Sequence, residues 1–141
     1  TIAVPNDSSN EARALMVLEQ EGLIKLREGA GLTATILDIV DNPRNLDIKE
    51  LAAEQLPRSL EDVNFAVING NFALQSGLSP EDALAVETLS GETLELYQNV
   101  LAVREDKAKD PAILALYAAL KSDAVKDYIN ETWKGAVVPL D

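Results

Sequence analysis

The chain has 141 residues, with 24 Asp and Glu against 12 Lys and Arg, for a formal net charge of −12. That balance argues against nucleic acid or an anionic membrane face as a partner, since neither offers counter-charge. There is no cysteine and no histidine, which excludes thiolate catalysis, disulfides, most zinc sites and any imidazole base.

Hydrophobic content of 47% with 26% charged residues describes one ordinary globular domain or two small lobes. No apolar run reaches the ~18 residues that a membrane-spanning helix requires. Residues 2–4 predict a short buried strand ended by Pro5. It is reached with no lead-in, so the sequence is expected to be a trimmed fragment. A helix is predicted over 10–20, with Asn10 or Ser9 as N-cap and Gly22 as its stop. Its stretch 14–18 is apolar on every side and is expected to be deeply buried.

Residues 34–39 predict a second strand or extended segment, Asn42-Pro43-Arg44-Asn45 a turn, and 48–52 a third strand. A short helix begins at Leu56-Pro57, and 65–68 (Phe65-Ala66-Val67-Ile68) forms the clearest buried strand. Asn69-Gly70-Asn71 follows, then a helix to Ser76 with Gly77 as its C′ residue. Further strands are predicted over 83–87 and over 94–103, the latter interrupted by Tyr97-Gln98-Asn99. Strands alternating with helices imply an α/β layer structure with a largely parallel sheet. The C-terminal part differs. Asp110-Pro111 is an N-cap and N1 pair, Ser122 or Asp123 caps a second helix, and both helices carry much apolar surface.

Three polar residues share one structural address. Arg13 follows the first strand, Asn69 ends the strand 65–68, and Asn99 interrupts the strand 94–103. Ligands in open α/β sheets bind beyond the carboxyl ends of the strands. A guanidinium suits a carboxylate and amide oxygens suit an ammonium, so the three fit an amino acid. Each also has a purely structural reading: a surface arginine near a helix start, an Asn-Gly turn, and an amide hydrogen-bonded within a strand. No acid, base or nucleophile accompanies them, and no cofactor or metal is expected. The pairs Glu61-Asp62, Glu81-Asp82 and Glu105-Asp106 read as solvated surfaces and caps.

Side by side, these segments resemble the methionine-binding lipoprotein family, the NlpA-type substrate-binding proteins of ABC importers. The resemblance is carried by Ile2-Ala3-Val4-Pro5-Asn6-Asp7 with Asn10 and Arg13-Ala14-Leu15, by Gly22-Leu23-Ile24-Lys25-Leu26, and by Leu37-Asp38-Ile39-Val40 with Asn42-Pro43. It continues through Gln55-Leu56-Pro57-Arg58-Ser59-Leu60, Ala66-Val67-Ile68-Asn69, Tyr97-Gln98-Asn99, Val103-Arg104-Glu105-Asp106 and Gly135-Ala136-Val137. Ala12 departs from the pattern, which expects a glycine before the arginine.

The resemblance implies the second lobe of a type II periplasmic-binding-protein fold over 1–95. Residues 96–141 would then be a return strand and helices that belong to the first lobe. It implies that Arg13 meets the ligand carboxylate and that Asn69 and Asn99 meet its polar end, with Asn10 and Asn71 as weaker candidates. The implied ligand is methionine or a derivative, the implied partner a membrane permease, and the implied location outside the cytoplasmic membrane, lipid-anchored in the parent. The C-terminal helices would have to cover this lobe, meet or exchange with another copy, or stay partly exposed. Two alternatives of other classes are a small carboxylate-based enzyme and a structural, oligomerising fragment with no ligand.

Overall fold

The structure, a computed structural model, describes residues 1–88, 97–135 and 137–139. The chain divides into two units, Thr1–Thr88 and Leu89–Asp141. In chain order the first unit contains β1 (Ile2–Pro5), α1 (Ser8–Gln20), β2 (Lys25–Leu26), β3 (Ile39–Asp41), β4 (Ile48–Leu51), α2 (Leu56–Ser59), β5 (Phe65–Ala66) and α3 (Gly70–Gln75).

β1 lies between β4 and β5 and runs parallel to both, with Ile2 opposite Ile48 on one side and Phe65 on the other. All four of its residues are apolar and buried, as a parallel strand covered on both faces must be. β2 and β3 form a separate antiparallel pair.

α1 starts earlier than its apolar pattern predicts. Asp7, rather than Asn10 or Ser9, is the N-cap, and its Oδ1 accepts the backbone N–H of Asn10 at 3.1 Å. A carboxylate three residues ahead of that donor is a strong cap and also interacts favourably with the positive end of the helix dipole. The buried positions Glu11, Ala14, Leu15 and Leu18 fall at i, i+3, i+4 and i+7, with Ala12 beside them, while Met16 and Val17 are only half-buried. The helix therefore buries one stripe against β1, not its whole circumference. Leu15, fully enclosed, contributes roughly 1.5–3 kcal/mol by leaving water.

Both predicted glycine stops hold. Gly22 has φ +65°, and the N–H groups of Gly22 and Leu23 donate to the carbonyls of Glu19 and Leu18, each at 2.9 Å. Gly77, at φ +77°, ends α3 the same way through Leu74 and Ala73. These are Schellman closures, which need a left-handed residue.

Several strand predictions fail for one shared reason: a strand requires a ladder partner. Over 34–39 the chain forms tight 3-10 turns, and strand begins only at Ile39. There Asp38 Oδ2 accepts the backbone N–H of Thr35 at 2.9 Å and its hydroxyl at 3.2 Å, competing with any ladder. β5 pairs only through Phe65 and Ala66, and Phe65 is half-exposed, so β1 and not 65–68 is the buried centre. Residues 83–87 carry no ladder; side chains of α1 hold that segment instead. In the predicted strand 94–103, residues 94–96 lie outside the described residues and 99–103 have no strand structure.

The second unit contains α4 (Pro111–Leu120) and α5 (Asp123–Trp133). Asp110 caps α4 by accepting Ala112 N–H at 3.0 Å, with Pro111 at N1, as the sequence predicts. Ser122 is the N-cap of α5. Leu114, Leu116, Tyr117 and Leu120 of α4 remain about half-exposed, so these helices keep apolar surface in water. Among the described residues, no helix is long and apolar enough to cross a membrane.

Candidate ligand-binding site

The carboxyl ends of the neighbouring strands β1 and β5 place two loops side by side. Beyond β1 come Asn6 and Asp7 and the start of α1; beyond β5 come Val67, Ile68 and Asn69, which is the N-cap of α3. Val67 N–H still donates to Ala3 at 2.9 Å, and Asn6 N–H to Leu51 at 2.9 Å, so both loops leave the sheet from fixed points. Arg13 is the sixth residue of α1. It therefore sits in the second turn, where the positive end of the helix dipole has largely faded.

Asn10 is the hub. Its Nδ2 donates to Asp7 Oδ2 at 3.1 Å, and its Oδ1 accepts Asn69 Nδ2 at 2.9 Å and Arg13 Nη1 at 3.4 Å. The amide orientations follow from chemistry. A carboxylate only accepts and a guanidinium only donates, so Asn10 must turn its NH2 to Asp7 and its oxygen to Arg13. That oxygen then requires the NH2 of Asn69, which leaves Asn69 Oδ1 on the other side of the amide. This oxygen is buried and has no hydrogen-bond partner among the described residues. A buried acceptor without a donor is uncommon and costly in a native fold.

Arg13 is held from a distant part of the chain. Glu87 accepts its Nε–H at 3.0 and 3.2 Å through its two oxygens and its Nη2 at 2.5 Å, a side-on bidentate pair. The segment around Glu87 is fastened independently. Gln20, seven residues after Arg13 and so on the same face of α1, donates Nε2 to the Val86 carbonyl at 3.3 Å and accepts Thr88 N–H at 3.1 Å.

Of the expected site residues, Arg13, Asn10 and Asn69 form one network. Asn71 is exposed on α3 and makes none of these hydrogen bonds, and Asn99 belongs to the second unit, where it is exposed. Asp7, Gln20 and Glu87 were not expected as site residues. Glu87 left one faint signal, as the charge that ends the apolar run 83–86.

Two carboxylates that are not members of this hydrogen-bond network are perturbed. Burial pushes Glu11 above the usual carboxylate range, against the pull of the Ile36 N–H it accepts, with Glu50, Asp38 and Asp7 adding repulsion. Asp38 is held below that range by the Thr35 N–H first and then by Arg27. The three acidic pairs named above are all exposed. A guanidinium and an unmet amide oxygen that share Asn10 can hold a carboxylate and an ammonium; they offer no means of breaking a bond.

A family model described as NlpA lipoprotein matches residues 1–140. The D-methionine-binding lipoprotein MetQ of Escherichia coli (strain K12) is 43% identical over 140 residues, which are 97% of this chain and 50% of that protein. A solved nutrient binding protein from Burkholderia cenocepacia, bound to methionine, is 47% identical with a TM-score of 0.84, covering 97% of this chain and 57% of that one. The substrate binding protein of a methionine transporter from Streptococcus pneumoniae is 38% identical with a TM-score of 0.85, covering 99% and 54%. The chain spans about half the length of the curated relatives it matches.

Proposed function

Because this chain belongs to the NlpA lipoprotein family, we propose that it is part of a substrate-binding protein that presents methionine, or a close methionine derivative, to an ABC importer. It binds without chemistry and needs no cofactor. Arg13 meets the ligand carboxylate and the Oδ1 of Asn69 accepts from the ligand ammonium. The observation that carries this reading is the buried, unmet Oδ1 of Asn69 beside a guanidinium that shares its partner Asn10. Asn99 and Asn71 enter this reading on the family resemblance alone.

In this reading residues 1–95 are the second lobe, and 96–141 return to the first. It takes the parent as lipid-anchored outside the cytoplasmic membrane, with the importer's permease as partner, a reading supported by the family's description as NlpA lipoprotein. The test is thermal unfolding of the natural full-length polypeptide with L-methionine, D-methionine or a methionyl dipeptide. Saturable stabilisation is expected, reaching about 2.7 kcal/mol at a hundredfold excess over Kd. No shift at millimolar ligand would overturn the reading.

The half-exposed leucines of α4 support a second, narrower reading for the 141 residues taken alone: self-association through that face. Light scattering that shows a monomer across a wide concentration range would remove it.

A further inference from the structure

The cation of this site is already balanced. Glu87 takes the Nε/Nη2 edge of Arg13, and the two side chains are only 22% and 30% exposed, so solvent screens the pair weakly. Asp7 adds a second carboxylate one hydrogen bond from Asn10. The cluster Asp7, Arg13 and Glu87 thus carries a net negative charge before any ligand arrives. A carboxylic acid with no amino group would deepen that charge, whereas an amino-acid zwitterion brings its own cation to Asn69 Oδ1.

We propose that Glu87 is the specificity residue that makes this site accept zwitterionic amino acids and reject carboxylates lacking an ammonium group. The proposal rests on the amino-acid reading above. Glu87 is not needed to anchor its own segment, because Gln20 already binds the backbone on both sides of it, at Val86 and Thr88. Its charge is therefore separable from the local fold. A glutamine in its place would still accept from Arg13 through its amide oxygen while removing the negative charge.

The experiment is calorimetry on the full-length polypeptide, comparing L-methionine with 4-(methylthio)butanoate, which keeps the carboxylate and side chain but lacks the ammonium. In the wild type methionine binds far more tightly. In Glu87→Gln the ratio of the two Kd values is expected to fall about tenfold or more, the effect of removing one nearby, weakly screened charge. An unchanged ratio, or an equal loss of both ligands, overturns the proposal.

If the wild type binds neither compound, the amino-acid reading itself fails and takes this inference with it. If methionine binds but the ratio does not move, Glu87 alone loses its role.

Discussion

Asn69 donates its side-chain N–H to Oδ1 of Asn10 at 2.9 Å, across 59 residues of sequence. One hydrogen bond thereby joins the loops at the ends of two adjacent parallel strands and fixes which end of the Asn69 amide has no partner among the described residues. Asn10→Ala should cost about 1–3 kcal/mol, because Asn69 then loses its acceptor and Asp7 its side-chain donor. Asn69→Ala should cost less, since it also deletes the unmet oxygen. The double variant should be less destabilised than the sum, with a coupling of about 0.5–1.5 kcal/mol by urea denaturation. Strict additivity would mean that the two amides do not interact.

Leu15→Ala should be the most damaging single truncation in α1. The side chain is fully buried against β1 in the centre of the apolar cluster, so the cavity and transfer terms together predict about 2–5 kcal/mol. Chemical denaturation with an unchanged m-value would check it.

Gly22→Ala tests the helix stop. An added Cβ meets nothing within 4 Å, yet φ is +65°. Any loss is therefore backbone strain alone, about 1–2 kcal/mol, and not a clash. A variant as stable as the wild type would show that the chain leaves α1 by another route.

Glu11 and Asp38 should respond to pH in opposite senses. Burial raises the folded-state pKa of Glu11 above its ordinary 4.5. The stability it contributes is present below that value and declines as pH rises through the raised one. Glu11→Gln should therefore melt higher than the wild type at neutral pH, and the difference should close in acid. Asp38 is depressed in the folded state, so its contribution is present above the ordinary value and lost as pH falls. Asp38→Asn should show its deficit at neutral pH and lose it in acid. Melting temperatures across a pH series for both variants would check the signs.

What could be read from the sequence was what depends on near neighbours. Gly22, Gly77 and Asp110-Pro111 mark helix ends because capping is settled within about six residues. Arg13 and Asn69 were legible as polar residues just beyond apolar strands, whereas Asn10 entered only through the family resemblance. Residues 83–87 and the described end, 99–103, of the expected strand 94–103 carry no ladder, which the sequence does not disclose because apolar β-formers look alike whether or not a partner strand lies beside them. Asp7 was passed over as the cap because the apolar periodicity of α1 begins later than its backbone hydrogen bonds. Glu87 and Gln20 reach their partners across 74 and 68 residues, and no local spacing encodes such pairs.

The position of β1 in the middle of its sheet sets an order of assembly. Its residues pair with β4, where Ile2 meets Ile48, and with β5, where Ile2 meets Phe65. During synthesis this apolar strand emerges ahead of both its partners and has no ladder until β4 has followed, and none on its other side until β5 has. Until then its N–H and C=O groups and its four apolar side chains are available to any passing strand edge. Loops of this length must close before the sheet gains stability, so slow, contact-order-limited folding is built into the topology. The buried centre of this sheet is also the segment that waits longest for its neighbours.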